Sequence, residues 1–351
     1  RIDRKGGDPH MLVAFSPDLS TYHEIRANSY QTEEWFNDVR KFTLVVPPTP
    51  YNISHLVKGA ILYRTQVSQT MVVTRVSPDT SQDRITVNGY TTNWLLNKRA
   101  IATPAVITTV ESGLYGAIAS NLRGLPNVET AGLQTLSEAY SAILSGGQLL
   151  DELIPILGAV GLGQRMNFDT SRRKHVFEIY KGSDLTAGSH AVIFSDEQGT
   201  ARDLKIEDDE SLFKNVIYVL GTLTDGSSTV RTVGTATGAD RYEYWHDSRL
   251  KQENDETLTS FQARLDASGA AEAAKRVRSL GFSVRVDPGE YGVKYQMGDK
   301  VRCVSKRFGV QFTAIINGIK RTIQAQSETV SIVLGEPEIT VLGEMKLSWR
   351  K

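Results

Sequence analysis

Cysteine is nearly absent from this chain of 351 residues, where Cys303 stands alone. That excludes an intrachain disulfide framework and any cysteine-cluster zinc or iron–sulfur site. Cys303 sits in the strand-like run Val301-Arg302-Cys303-Val304, so a buried apolar thiol is expected rather than a nucleophile. Long apolar runs are missing too. The best candidate, Ile154 to Gly163, contains Pro155 and three glycines and falls well short of the roughly 20 residues a membrane helix needs. No membrane span is expected. An excess of either charge is also lacking, because 40 Lys and Arg residues balance 40 Asp and Glu residues. A dedicated duplex-binding protein carries a basic face that shows as a net excess, which disfavours nucleic acid as the main ligand.

Catalytic signatures are equally scarce. The six histidines, His10, His23, His55, His175, His190 and His246, include no pair four residues apart and no His-Glu-x-x-His, so zinc hydrolysis has no support. No Gly-x-Ser-x-Gly occurs, and Gly226-Ser227-Ser228 reads as a loop. The run Glu207-Asp208-Asp209-Glu210 lacks the alternating ligands and central glycine of a calcium loop and reads as a solvated turn. Gly158-Ala-Val-Gly161-Leu-Gly163 follows a helical pattern and precedes a strand. A dinucleotide fold wants the reverse order, so this is a helix-to-strand turn. Carboxylate pairs such as Glu33-Glu34 or Glu207 and Asp209 could serve glycoside cleavage, but acidic pairs are usually solvated, and they read as surface. Arg172-Arg173-Lys174 falls on a hairpin tip and reads as a solvent or interface contact. Tyr242, Tyr244, Trp245 and Trp349 suit either a protein interface or packing at a barrel edge. No catalytic, cofactor-binding or metal-ligating residue is assigned, and neither enzyme activity nor a cofactor is expected.

What is present is an ordinary globular composition, 40% apolar and 23% charged, too apolar for a disordered chain. The length suggests about two domains at roughly 150 residues each. The chain opens on Arg1 rather than Met, the expectation for a trimmed or processed segment. Short β-branched runs at 42–46, 61–65, 71–76 and 85–87 are broken by turn residues and predict a barrel or sandwich. Leu133, Leu136, Tyr140, Ile143 and Leu144 recur at helical spacing ahead of Gly146-Gly147, and a second amphipathic helix is predicted over 149–157. Residues 164–169 and 175–180 predict a hairpin, and 192–194 and 216–220 predict further strands. Residues 221–238 read as a loose hairpin or long loop. Asn254 can cap a helix that carries Asp255 and Glu256 in its first turn, runs on through 270–280 and stops at Gly281. Short strands follow over 282–347. The fold class is thus α+β and β-rich, with two β-barrel-like modules around a helical section.

Several ordered motifs carry a resemblance. Phe42-Thr-Leu, Gly59, Met71-Val-Val-Thr, Val87-Asn-Gly89-Tyr90 and Leu95-Leu96-Asn-Lys-Arg99-Ala-Ile101 come first. Gly182-Ser-Asp184-Leu-Thr186, Val192-Ile-Phe194-Ser195, Gly199 and Lys214-Asn215-Val216 with Val219 follow. Tyr295-Gln-Met-Gly298-Asp299-Lys-Val301 and Ile332-Val-Leu-Gly335 close the series. Together, over about 28–335, they resemble the tail-hub family of long-tailed bacteriophages, the baseplate hub or tail-tip minor tail proteins. Leu185 departs from that pattern, since relatives more often show Arg there.

The resemblance implies modules at 1–104 (N-terminal, barrel-like), 105–189 (helical insertion), 190–283 (β-rich segment with a long helix) and 284–351 (C-terminal, barrel-like). It implies a structural protein of the virion, made in the host cytoplasm and placed at the tail tip. The implied assembly is a homotrimeric ring with pseudo-sixfold symmetry, seated on a distal tail protein or tail tube protein. Further implied partners are the tape-measure protein C-terminus and a tail fibre or spike, with DNA only in transit during ejection. A channel that passes DNA should not neutralise its phosphates, so Glu207 to Glu210 are expected to face the lumen. The rival readings are a tail-associated carbohydrate-binding adhesin and a cell-wall hydrolase. The sequence leaves open an infectious phage, a tail-like bacteriocin or a gene transfer agent.

Overall fold

Alternation in Lys41–Val46 buries Phe42, Leu44 and Val46 on one side, the period of a half-buried strand. Its neighbours belong to a longer antiparallel path seen in a computed structural model that describes residues 11–64, 69–276, 279–307, 309–324, 327–335 and 338–339. The chain divides into two units, one formed by described residues up to 204 and from 283 onward, the other by 205–282.

In the first unit the strand order is Ser327–Leu334, Val310–Gln324, Ser29–Trp35, Lys41–Val46, Arg84–Thr91, Gln69–Asp79, Ile61–Arg64, Met11–Phe15 and Tyr22–Arg26. Val310–Gln324 has 15 residues, longer than the short strands predicted there. Its first half pairs with Lys300–Ser305, and its second half pairs with Ser29–Trp35, from Gln324 opposite Ser29 to Gly318 opposite Trp35. Strands from the two ends of the chain are therefore hydrogen-bonded neighbours.

Several of these strands are buried on both faces. Leu12, Ala14, Leu62, Met71 and Val73 join one core, while Val13, Phe15, Ile61, Tyr63 and Val72 join another. Double burial explains why these segments read as unbroken apolar runs instead of alternating. The second core is completed by helix Val110–Asn121, helix Leu149–Ala159 and the hairpin Gly163–Asp169 with Lys174–Tyr180. That hairpin and the helix at 149 agree with the expectation, and Gly158 to Gly163 does form the turn from helix to strand.

The segment 133–144 is not helical. Ala139–Leu144 is a strand paired antiparallel with Ala105–Thr109, Ile143 opposite Val106. Apolar residues at 133, 136, 140, 143 and 144 match a helix, but the β-branched run at 105–109 supplies a pairing edge that local spacing cannot reveal.

In the second unit, strands Ser228–Val233, Val216–Thr222 and Glu243–Lys251 form a sheet with Val216–Thr222 in the centre. The first two make a hairpin with a short turn, so Gly221 lies in a strand. Helix Leu258–Ala274 packs Phe261 and Leu265 against Ile217 and Val219. A Cβ on Gly269 would lie 2.6 Å from Val233 and 2.7 Å from Val219, so glycine sets this close helix–sheet approach. The cap is Thr257, whose hydroxyl accepts from the Ser260 N–H at 3.2 Å, and not Asn254. Asp255 and Glu256 consequently precede the first turn. The helix ends at Ala274, and Gly281 belongs to strand Ser279–Val286 instead of a C-cap.

His175 is buried in the first unit with its ring 5.1 Å from that of Phe168, and burial pushes its pKa down to about 4. The unfolded chain takes up a proton near the ordinary 6.5. Stability is therefore expected to fall as pH drops from 6.5 towards 4, by about 3 kcal/mol in all, with no loss above 6.5. Denaturant titrations at pH 7 and 4.5 check this: His175→Gln should show a shallower acid loss than the parent. Equal slopes would refute it.

Candidate functional site

Two of the sequence motifs, more than a hundred residues apart, meet in one junction. The buried Asp299 carboxylate accepts the Ser183 N–H and the Gln296 N–H, both at 2.8 Å. The Lys300 N–H donates to Ser183 O and the Leu185 N–H to Lys300 O, each 2.8 Å. A charged acceptor for two backbone donors is stronger than a neutral one, so Asp299 locks the 182–185 loop to the 296–300 turn. Phe36 is seated beside it. Cβ atoms on Gly163 and Gly298 would approach the Phe36 ring to 2.1 and 2.4 Å; these glycines form its seat. The Tyr180 ring meets Phe36 edge-on at 5.3 Å.

Next to this junction lies a cleft of about 230 Å³, lined among others by Trp35, Asn93, Gln164, Arg165, Tyr180 and Tyr291. The arginine of its lining, Arg165, and the neighbouring Arg40 are both paired. Arg165 contacts Glu178 at 2.6 Å and covers the Tyr180 ring at 4.4 Å, while Arg40 contacts Asp38 at 3.0 Å and covers the Trp35 ring at 4.4 Å. Desolvation raises the Tyr180 and Tyr291 hydroxyls above their ordinary range, so both stay protonated. Thr70 and Thr92 share a hydrogen bond of 2.6 Å on the same wall.

Exposed apolar side chains mark other surfaces. Val106 and Ile143, paired across strands, are 68% and 71% exposed. In the second unit Trp245 and Val230 are exposed on the sheet. Adjacent large apolar groups in water are the usual mark of an interaction surface.

The residues singled out from sequence scatter. Cys303 is buried, and desolvation pushes its thiol up to about 12, so it is inert as a nucleophile. Glu33 contacts Lys320 at 3.3 Å, whereas Glu34 lines the cleft. As successive strand residues they point to opposite faces, so they form no acid–base pair. Glu207, Asp208 and Asp209 lie on strand Arg202–Asp209 and not in a turn. Their side chains fall outside the described residues, as do His10 and Trp349. Arg172 at the hairpin tip pairs with Glu129 and Asp169, each at 2.7 Å, and Arg173 donates to Leu19 O and Ser20 O. Tyr244 packs under the Arg276 guanidinium at 3.6 Å, and Tyr242 sits edge-on to Phe213 at 5.3 Å. His246 Nε2 lies 3.1 Å from Ser268 Oγ, and the His23 and His55 rings lie 3.5 Å apart. Among the described residues no three His, Cys, Asp or Glu side chains converge as a metal site, and no helix is long and apolar enough to cross a membrane. Trp35, Phe36, Asn93 and Gln164 escaped sequence reasoning, since isolated polar or aromatic residues carry no local signal.

A family model described as Siphovirus ReqiPepy6 Gp37-like protein matches residues 13–336. The fold is similar to the tail protein from Neisseria meningitidis MC58, with 13% identity and a TM-score of 0.56 over 93% of this chain and 96% of that one. It is also similar to the 43 kDa tail protein of prophage MuSo2 from Shewanella oneidensis, with 11% identity and a TM-score of 0.56 over 93% and 97%. The prophage tail protein gp18 from Listeria monocytogenes EGD-e aligns over 97% of this chain and 98% of that one, with 15% identity and a TM-score of 0.49. At such identities the first two comparisons establish a common fold. No curated protein sequence matches the chain.

Proposed function

The chain belongs to the Siphovirus ReqiPepy6 Gp37-like protein family, and from that premise we propose that it is a structural hub of a phage tail tip or baseplate. In this reading three copies form a ring that caps the tail tube, anchors fibres or a spike, and lets DNA pass on infection. The carrying observation is the pairing of a family match over 13–336 with a whole-chain fold shared with two tail proteins.

Residues 1–104 and 284–351 would supply two barrel-like modules per subunit, giving a threefold ring the pseudo-sixfold face that a sixfold tube requires. Residues 105–189 and 190–283 would be the insertion and the helix-bearing segment between them. A distal tail protein or the tube protein would seat one face, the tape-measure C-terminus would end at the centre, and fibres or a spike would attach outside. The role uses no catalytic, cofactor or metal residue. A neutral chain suits transit of DNA without tight non-specific binding. An obligate ring of this kind buries more than roughly 2,000 Å² per interface, and rigid-body shifts at such interfaces can carry receptor engagement to tail opening.

Light scattering and class-averaged electron microscopy of the purified chain test the proposal. Three times the chain mass and a threefold ring with an open centre are expected. A monomer at high concentration that binds host cells, and loses binding on Trp245→Ala, would replace the hub with an adhesin. Cleavage of purified cell wall would replace it with a hydrolase.

A further inference from the structure

Two imidazoles from different elements of the first unit meet at its surface. His23 lies on strand Tyr22–Arg26, and His55 closes the short helix Pro50–His55. Their ring centres are 3.5 Å apart, with the planes inclined at 48°. Both residues are half-buried, so solvent and a small solute reach them.

The hydrogen bonds settle which nitrogen of His55 is available. Its Nδ1 lies 2.7 Å from the Tyr51 carbonyl oxygen and 3.1 Å from Ser54 Oγ. A carbonyl only accepts, and the Ser54 hydroxyl already donates to that same oxygen at 2.9 Å, so Nδ1 carries the proton. The lone pair of the neutral ring is therefore on Nε2. A metal-ligating histidine ordinarily donates its other ring N–H in this way, which fixes the tautomer and the ring orientation. The His23 ring makes no hydrogen bond among the described residues, so a nitrogen of that ring is open to a ligand as well.

Both side chains stand on fixed supports. His23 faces Ala14 across the antiparallel pair of Met11–Phe15 with Tyr22–Arg26, and Ile25 beside it is buried. The helix is capped by Thr49 Oγ1, which accepts the Asn52 N–H at 3.1 Å. Asn52 Nδ2 donates to Pro47 O at 2.8 Å, and Leu56 is buried under the last turn.

Geometry and chemistry together select an ion. Imidazole lone pairs lie in the ring planes, so an ion held by both rings must lie where the planes meet. Parallel stacked rings have no such line, whereas rings inclined at 48° do. Two imidazoles on a tetrahedral ion, at about 2.0–2.1 Å per Zn–N bond, place their centres about 5 Å apart. A small outward swing of these half-buried side chains reaches that spacing. Nitrogen donors suit zinc, nickel and copper, while calcium and magnesium take oxygen. No third His, Cys, Asp or Glu joins the pair among the described residues. The remaining positions are therefore left to water, as in an accessible site and unlike a closed structural one.

We propose that His23 and His55 together bind a late divalent transition-metal ion such as Zn²⁺, which clips the strand to the helix. The site is independent of the hub reading, because both ligands come from a single chain.

The test is NMR of the full chain labelled with ¹⁵N at histidine, titrated with zinc chloride and, in parallel, with magnesium chloride. The His23 and His55 ring signals, assigned through their own backbone amides, should shift in step and saturate at one equivalent of zinc, with a Kd in the micromolar range. Magnesium should move neither signal, and His190 and His246 should need at least tenfold more zinc. His23→Gln should weaken zinc binding at His55 at least tenfold, and His55→Gln should do the same at His23, since one imidazole cannot chelate. Zinc should raise the Tm of the parent more than that of either variant. Signals that move at different zinc concentrations overturn the proposal, because each histidine would then be an adventitious single ligand. So does a ring that keeps its affinity after loss of the other, or the absence of any shift up to millimolar zinc.

Discussion

Glu328→Gln is expected to cost about 3–5 kcal/mol of unfolding free energy. Its carboxylate is shared by two arginines, each only 2% exposed: Arg64 reaches it through Nη1 and Nη2 at 3.0 and 2.9 Å, and Arg321 through Nη1 at 2.8 Å. A neutral amide there removes from two buried guanidinium groups a shared charge that offsets their desolvation. The triad also spans the chain, since Arg64 ends strand Ile61–Arg64, Arg321 lies in Val310–Gln324 and Glu328 lies in Ser327–Leu334. Replacing all three, as Arg64→Met, Arg321→Met and Glu328→Leu, should recover most of the loss, because packed apolar groups need no counter-charge. Urea midpoints of the single and triple variants measure both effects. A loss below about 1 kcal/mol for Glu328→Gln would mean that solvent already screens the cations, as at exposed pairs.

Gly182→Ala is expected to destabilise the first unit by more than about 3 kcal/mol, at the upper end of overpacking costs. The added Cβ would stand 1.9 Å from Gly298 O and 2.6 Å from Asp299 N. Both obstacles are backbone atoms, so no side chain can rotate away. Relief requires the 182–185 loop to part from the 296–300 turn, which breaks the hydrogen bond that Asp299 accepts from the Ser183 N–H and the backbone bonds of Lys300 N–H to Ser183 O and Leu185 N–H to Lys300 O. Loss of amide exchange protection at Ser183 and Lys300 would accompany the fall in stability. A change under about 1 kcal/mol, with protection retained, would show that the junction is not closely packed.

Much of the β structure was legible because its signals are local. Phe42, Leu44 and Val46 alternate, turn residues bracket 61–64 and 85–87, and the pattern 164–169/175–180 carries its own turn. Helix 149–159 declared itself through Leu149, Leu153, Ile156 and Leu157, all buried. Strands Met11–Phe15, Tyr22–Arg26 and Ser29–Trp35 were not read, since Tyr22 to Trp35 is largely polar and has strand character only once paired. The error at 133–144 has the same origin: a helical spacing was outweighed by a distant pairing edge. At 254–257 two capping residues were available, and packing of Phe261 and Leu265 on the sheet decided for Thr257.

By itself the sequence established a neutral, cysteine-poor, β-rich protein with ordered motifs of a phage tail family, because composition, alternation and motif order are properties of neighbouring residues. Only the tertiary structure brought Gly182 to Gly298, Arg64 to Glu328, and Gln164 to Asn93 and Trp35. Those contacts depend on long-range strand pairing, and the requirement they place on each residue is steric or electrostatic fit to a partner far along the chain. No local pattern encodes such a fit, so the junction, the buried triad and the cleft became visible only in the folded protein.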